Sequence, residues 1–587
     1  MNVWPHIPEE TPLAYAALVD GKLCPKGQAS PQVLYDPYRV VRVLKRVGPR
    51  GSGQWEVIDF NQAIDEIVNG GDLFGEGHVD GLKDIYKLRD PDLAKELAAD
   101  VEAIRSGDMT VEQFKRRHAD HLDVLIDPDH PDFGPVNNQF VFLGGRMEHG
   151  RKELGKRFTY DGFGSTNFYL HTTICEQSHH IAYKMMTGKT HMKPDFINSS
   201  FVIFFGTGAF EANFGPTPMA ELVTNAITEG RLQIAVVDPR FSKTAAKARW
   251  WVPVQPGADA AVALGMIRWI IDNERYDARY LRAPNKAAAN AIDETNSTDA
   301  THLVRTDKMV FLRPEDIELE LPEGVDSSYV VMTEDGPAPS EVAEQGELFY
   351  EGELNGIPVK TVFQLLAERA REYTIEEYAE IAGISPSLIE TLADEFTSHG
   401  KRAAAELYRG PVQHTNGYYT AQAIITLNVL IGNTDWVGGL GVGGSHWHED
   451  GSKTPENGPF PKSVIKNAPG GLKKFGLHVN LETETYEKST IFEGYPARRP
   501  WYPFTNELYQ NIIPNAYDGY PYSIKALFIQ KGTPVFATPG GHVQAAMLRD
   551  TERIPLVIAC DIVLGETTMY ADYVIPDLTY MERWGIP

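Results

Sequence analysis

The 587-residue sequence predicts a multi-domain α/β protein built on doubly wound, mostly parallel sheets. Short, continuously apolar runs such as Phe201-Val202-Ile203-Phe204-Phe205 and Gln233-Ile234-Ala235-Val236-Val237 alternate with helical stretches, as strands buried on both faces do. These runs stop at Gly, Asp or Arg clusters, which puts those residues at the strand ends where such sheets bind ligands. The length exceeds what one hydrophobic core organises, so several domains are expected.

Composition narrows the function classes. A formal net charge of -25 argues against nucleic acid or an anionic membrane surface as the main partner. No apolar run of about 18 residues occurs, so no direct membrane span is expected. The opening Met1-Asn2-Val3-Trp4-Pro5-His6 shows neither the basic nor the apolar region of a signal peptide. Cys24, Cys175 and Cys560 are far apart and odd in number, with no CxxC, against a disulfide framework and against an all-cysteine, four-ligand metal site.

In chain order, residues 1–60 read as short strands and turns, with Val40–Leu44 and Trp55–Ile58 forming a hairpin around Gly48–Gly53. Residues 61–127 are helical and charged; Ala94, Leu97, Ala98, Val101 and Ile104 keep helical spacing until Gly107. Phe140-Val141-Phe142-Leu143 is a buried strand followed by Gly144-Gly145-Arg146, and an aromatic, glycine-rich stretch at 158–170 leads to Cys175. The spacing of Ser178, Ile181, Ala182, Met185 and Met186 predicts a helix closed by Gly188. Cys175 then sits at a helix N-terminus, where the dipole and free N–H groups favour a thiolate.

The alternating region follows. Phe201–Phe205 ends in Gly206-Thr207-Gly208 before a helix over Pro218–Thr228, and Gln233–Val237 ends in Asp238-Pro239-Arg240. Trp251–Val254 runs through Gln255-Pro256-Gly257-Ala258-Asp259 into a helix over Ala260–Asn273. Residues 280–360 are polar and acidic and read as an irregular surface excursion. Two short helices are expected over Tyr373–Phe396; the acidic charge opposes a DNA-binding helix-turn-helix there. A second α/β run has a strand at Ala403–Tyr408 ending in Arg409-Gly410-Pro411, a helix over Thr420–Ile431 and a flexible loop at Gly438–Gly444. Ala526–Ile529 and Leu556–Ala559 are further buried strands.

Each candidate site has a plainer reading beside it. Glu211 takes the third glycine position after Gly206 and Gly208, so GxGxxG fails, and Gly438–Gly444 lacks the Lys-Ser/Thr of a P-loop. Both loops can still offer backbone N–H groups to phosphates. Asp238 suits a ribose hydroxyl or a base edge, or is simply a turn residue. His446-Trp447-His448-Glu449 has metal-ligand residue types but no partner cluster, as in a solvated loop. Adjacent on a helix, His179 and His180 point in different directions, one toward a substrate pocket and the other structural. Cys560 reads as a core cysteine. Cys175 alone fits a nucleophile with an unplaced histidine, a metal ligand or packing.

Together these segments resemble the molybdopterin oxidoreductases of the dimethyl-sulfoxide-reductase type, from Cys24 to the last residue. Leu23-Cys24-Pro25-Lys26-Gly27 with Tyr35–Val40 is similar to the segment carrying the fourth ligand of that family's [4Fe-4S] cluster, and Lys26 to the lysine between cluster and pterin. Cys175 matches the protein ligand to molybdenum. Gly206–Gly215 (Gly206, Gly208, Asn213), Val237–Arg240 (Asp238, Arg240) and Gln255–Asp259 (Gly257, Asp259) match segments that hold a pterin guanine dinucleotide. Arg409–Asn416, with Gly410, His414 and Asn416, and Gly565–Asp577 match later signatures.

The resemblance implies the molybdopterin oxidoreductase fold. Residues 1–60 would be the remnant of an N-terminal iron–sulfur domain, 61–165 and 396–587 a discontinuous α/β domain, and 166–395 an α/β domain beginning at the metal-ligand cysteine. The cluster domain and a C-terminal barrel domain are expected to be truncated, with three of four cluster cysteines absent. It further implies a Mo-bis(molybdopterin guanine dinucleotide) centre with Cys175, His179 and Arg409 as catalytic residues. Arg409 and Arg146–Arg151 would supply the local cations a substrate anion needs. Ile174–His180 and Arg409–Gly417 are most similar to the tetrathionate-reducing members, with polysulfide, sulfur, thiosulfate and arsenate reductases as near alternatives. The implied partners are a small sulfur oxyanion, an iron–sulfur electron-transfer subunit, and with it a membrane quinol-oxidising subunit. The implied location is the periplasmic or extracytoplasmic face. A scaffold that keeps the fold without the metal is the alternative of another class.

Overall fold

The computed structural model describes residues 25–148, 150–175, 177–211, 216–442, 471–480, 486–494 and 508–583. Its long apolar runs become strands of two sheets, one in each of two compact units. One unit is contiguous, 178–444; the other joins 25–177 to 445–587.

In the contiguous unit four parallel strands lie in the order Trp250–Val252, Gln233–Val237, Phe201–Phe205, Ala403–Leu407. Alternate residues of Phe201–Phe205 serve two cores: Phe201, Ile203 and Phe205 pack on one face, Val202 and Phe204 on the other. That two-sided burial is why the run carries no polar residue. The helix Asp259–Asp272 buries Val262, Met266, Ile267 and Ile270 in the first of these cores, with Ile389, Leu392 and Phe396. From Phe201–Phe205 the chain adds two strands on one side before Ala403–Leu407 joins on the other. The order therefore switches between Phe201–Phe205 and Ala403–Leu407, which opens a crevice beyond their carboxyl ends.

The discontinuous unit repeats this logic. Its seven-stranded sheet runs Trp55–Ile58, Val43–Arg46, Tyr573–Pro576, Leu556–Asp561, Ala526–Gln530, Phe140–Gly144, Phe168–Tyr169. The last five are parallel, and the expected hairpin strands are antiparallel at the edge. Phe140 and Phe142 face one core, Val141 and Leu143 the other. Its switch point lies between Phe140–Gly144 and Ala526–Gln530. The helix Pro91–Ser106 ends at Gly107 in the left-handed conformation, as its spacing predicts.

Several expectations are corrected. Residues 280–360 are not an irregular excursion: Leu303–Arg305, Val310–Phe311, Glu351–Leu354 and Ile357–Thr361 form an antiparallel sheet around Leu303, Leu312, Val330, Met332 and Val359. These strands are two to five residues long and mix buried with exposed positions, so no continuous apolar run marks them. In the expected flexible loop, Leu440–Val442 pairs antiparallel with Met192–Pro194, and Gly443 and Gly444 lie outside the described residues. The helix Gln177–Thr187 buries His179, Ala182 and Tyr183, whereas Met185 is 49% exposed. The face is rotated because two polar-tipped rings, not methionines, fill it.

The unit boundaries also differ from the expected 166 and 396. Phe168–Tyr169 pairs with Phe142–Leu143, which keeps residues 166–177 in the discontinuous unit. Ala403–Leu407 pairs with Phe201–Phe205, which keeps it in the contiguous one. Among the described residues no helix is long and apolar enough to cross a membrane.

Candidate functional site

In the contiguous unit the loops leaving the switch-point strands cross backbone to backbone. The Gly410 N–H donates to the Gly206 carbonyl at 3.1 Å. A Cβ on Gly410 would lie 2.4 Å from that carbonyl oxygen, and one on Gly206, at φ 52°, 2.5 Å from Pro411 Cδ. Only glycine fits at either position. Thr207 is buried behind the crossing, and Gly208 accepts from the Glu211 N–H at 2.9 Å. Glu211 itself pairs with Arg240.

Two carboxylates occupy the same strand-end edge. Asp238 follows Gln233–Val237, where its Oδ1 accepts from the Arg240 N–H at 2.8 Å and its carbonyl from Trp251 Nε1 at 2.9 Å. Asp259 opens the helix Asp259–Asp272 and is buried. Burial pushes its carboxyl up to about 6; its own N–H and His414 work the other way, and Asp238 adds to the rise. Gly257, at φ 83°, brings the chain against His414, whose Nδ1 would be 3.4 Å from a Cβ there. Asp238, Gly257, Asp259 and His414 are thus neighbours, although Gln255–Asp259 and Arg409–Asn416 are distant in sequence. His414 and Asn416 are exposed.

A second cluster surrounds His179. Its ring lies 4.6 Å from His180, 5.7 Å from His191 and 5.3 Å from Tyr408, centroid to centroid. His180 Nε2 and His191 Nε2 are 3.0 Å apart, so both adjacent histidines belong to one cluster. Lys193 lies over the Tyr408 ring at 4.6 Å and pairs with the fully buried Glu406; Arg409 lies over the same ring at 5.0 Å. Burial holds the His179 imidazole down to about 2, helped by His180, His191, Lys193 and Arg409, and its Nδ1 is buried without a hydrogen-bond partner. His179 is therefore neutral. The cationic groups of the cluster are Lys193 and Arg409, and the sequence signal for Lys193, His191 and Tyr408 was absent because they come from separate segments.

Cys175 belongs to the discontinuous unit. The strand Phe168–Tyr169 beside the switch point leads into a 3-10 turn, His171–Ile174, and the Cys175 N–H donates to the Thr172 carbonyl at 3.0 Å. The Tyr509 N–H donates to Thr173 Oγ1 at 2.8 Å and anchors the turn. Two residues on, the helix Gln177–Thr187 begins, so the half-buried thiol stands just ahead of a helix N-terminus. At the neighbouring switch point the Gly145 N–H donates to the Gln530 carbonyl at 2.9 Å, and a Cβ on Gly145 would overlap the Lys531 carbonyl at 1.8 Å. Both units thus build their crevice on a glycine crossing.

The remaining positions fall as follows. Cys24, Asn213, Glu176, His149 and His446–Asp450 lie outside the described residues, and Lys26 is placed only as part of the helix Pro25–Gln28. Arg151, expected to meet a substrate anion, is instead bound to Asp577 at 2.6 Å. Cys560 is half-buried at a strand end rather than in a core, and burial pushes its thiol up to about 12.

The geometry has counterparts among known proteins. The chain is 48% identical to a selenate reductase subunit of Mesobacillus selenatarsenatis over 610 residues, covering 100% of this chain and 57% of the relative. It is 34% identical to a tetrathionate reductase subunit of Salmonella typhimurium over 587 residues, 96% of this chain and 53% of the relative. The chain therefore spans little more than half the length of these relatives. Acetylene hydratase from Pelobacter acetylenicus has a similar fold, at TM-score 0.51 and 16% identity, over 94% of this chain and 57% of that one. The family described as molybdopterin oxidoreductase matches residues 139–586, from the Phe140–Gly144 strand to beyond the last strand of the same sheet, and the chain belongs to that family.

Proposed function

We propose that this chain is the catalytic part of a molybdenum reductase acting on a sulfur or selenium oxyanion, with Cys175 as the thiolate ligand. The observation that carries the reading is the placement of Cys175: a half-buried thiol at the carboxyl end of a strand, beside a glycine-crossed switch point, in a chain of this family. Thiolate is the soft ligand such a metal takes.

The residues present fit a pterin guanine dinucleotide. The crossings at Gly206–Gly410 and Gly145–Lys531 use their own N–H groups on carbonyls and fix the strand-end loops, whose further backbone N–H groups would then be the ones to meet phosphates. A guanine edge offers N–H donors, which suits the buried Asp259 and its neighbour Asp238, and relieves the cost of keeping two carboxylates together. When bound, the molybdenum–dithiolene group supplies two-electron transfer. This chain's residues do the rest. Lys193 is already paired with Glu406, so Arg409 is the cation that would offset the charge of an oxyanion, and neutral His179 and the His180–His191 pair offer ring nitrogens as hydrogen-bond partners.

Two substrates follow from different observations. Selenate, taking two electrons and two protons to give selenite and water, is favoured by the 48% identity to a relative named for selenate reduction. Tetrathionate, whose central S–S bond takes two electrons to release two thiosulfates, is favoured by the Ile174–His180 and Arg409–Gly417 segments and by a 34% identical relative. Viologen-coupled rates with selenate, tetrathionate, thiosulfate, polysulfide and arsenate, compared side by side, separate them; no reduction of any chalcogen oxyanion would end the reading. For the full-length protein the proposal is completed by the cluster ligand Cys24 with Lys26 and by an extracytoplasmic location. Its electrons would come through an iron–sulfur subunit from a quinol-oxidising membrane subunit.

Cys175→Ala should reduce turnover to background while leaving pterin content nearly intact, since other loops hold the dinucleotides. Metal and pterin analysis of both proteins checks this. A wild-type chain that takes up no molybdenum would favour the scaffold reading instead.

A further inference from the structure

We infer that the discontinuous unit carries a second anion site, at the amino ends of its sheet strands and therefore opposite Cys175. A cavity of about 680 Å³ is lined by Lys95 and Arg105 of the helix Pro91–Ser106, by Thr166, and by Lys473, Lys474 and His478. Thr166 lies just ahead of Phe168–Tyr169, and its N–H donates to Asn138 Oδ1 just ahead of Phe140–Gly144, whereas Cys175 follows the other end of those strands.

Four cationic side chains line this cavity in a chain whose net charge is -25; Lys95 is paired with Asp92 at 3.0 Å, and Glu102 is the one carboxylate among the described residues of the lining. Glu102 reaches only Nη1 of Arg105, at 3.6 Å. Nε and Nη2 of Arg105, the edge that grips an oxyanion with two parallel N–H groups, are buried without a hydrogen-bond partner. Lys474 is held over the Tyr160 ring at 3.9 Å, so it is pre-positioned. The His478 imidazole is pushed down to about 4 by burial, Lys474 and Arg105, and its hydrogen bond to the Thr166 backbone fixes it as an uncharged wall of the cavity. An unpaired guanidinium edge with Lys473 and Lys474 around one cavity is a receptor for a small tetrahedral oxyanion of the phosphate or sulfate class. This site stands independently of the molybdenum reading, because none of its residues belongs to the crevice at either switch point.

The test is calorimetric titration of the full chain with inorganic phosphate and, separately, with sulfate, at ionic strength fixed by KCl. One saturable site is expected. Arg105→Gln should weaken it about tenfold or more, and Arg105→Lys should restore only part of the loss, because a lysine cannot supply the two-pronged edge. Equal binding of both anions identifies the tetrahedral dianion as the ligand; a preference for one identifies that anion. If Arg105→Gln does not fold, Lys473→Gln on an exposed side chain takes its place, with a loss of about threefold expected. The inference is overturned if neither anion gives saturable heat, if KCl alone reproduces the effect, or if the folded variants bind as the wild type does.

Discussion

His179 and Asp259 are both buried titratable groups, and they respond to pH in opposite directions. The His179 imidazole is held down to about 2, far below its ordinary 6.5, so the folded chain refuses a proton that the unfolded chain accepts. Its contribution to stability is complete above pH 6.5 and is lost as the pH falls from there toward 2. Between pH 7 and pH 5 the loss is on the order of 2 kcal/mol for this one site. The thermal midpoint of the 178–444 unit should therefore drop over that range, and His179→Gln should flatten the drop; a variant as acid-sensitive as the wild type would show that other groups dominate. Asp259 is raised to about 6 from 3.8, so its contribution is complete below pH 3.8 and is lost as the pH rises through 6. Asp259→Asn should thus stabilise the cofactor-free chain at pH 8, by about 1–3 kcal/mol, and at the same time weaken retention of a guanine dinucleotide. Thermal unfolding with and without cofactor distinguishes the two effects. A loss of stability in the cofactor-free chain would place the cost of Asp259 elsewhere.

At the scale of elements, the switch points depend on glycines whose absent side chains let two loops cross. Gly206→Ala and Gly410→Ala each force two loops apart and should cost about 1–3 kcal/mol while lowering pterin retention. At Gly441 an added Cβ meets nothing within 4 Å, so Gly441→Ala should keep more pterin than either, and equal losses in all three would point to general loop damage. Much of this architecture was legible in the sequence, because a strand buried on both faces must be apolar throughout, as Phe201–Phe205 and Phe140–Gly144 are. Strand ends were equally legible from Gly206, Asp238 and Gly410. What sequence periodicity could not supply was lateral order. Nothing local says that Ala403–Leu407 pairs with Phe201–Phe205, and this pairing brings Gly410 onto Gly206 and sets Tyr408 and Arg409 beside His179. The short strands between 303 and 361 were hidden for a different reason. They share a small core through alternate residues, and their other faces carry the charge that reads as loop.

Across the whole molecule, one unit is a continuous stretch and the other must close around it in sequence. The discontinuous unit is tied by Asp572, which is fully buried and takes Arg46 Nε and Arg50 Nη2 at 2.5 Å each and the Val557 N–H at 2.7 Å. Arg46 is 526 residues from Asp572, so this one carboxylate links the first hairpin to the last strands. Removing it leaves two guanidinium groups buried near one another; Arg50 keeps backbone carbonyls of Leu548, Ile554 and Pro555, and Arg46 keeps the half-exposed Glu76. Breaking such a buried pair costs about 3–5 kcal/mol, well above the worth of a surface ion pair. Asp572→Ala should therefore expose residues 25–177 and 508–583 to protease at a lower denaturant concentration while 178–444 stays protected. Pulse proteolysis with fragment mapping reads both regions in one experiment. If protection of the two regions is instead lost at a common midpoint, the chain unfolds as a single cooperative body and Asp572 stabilises all of it.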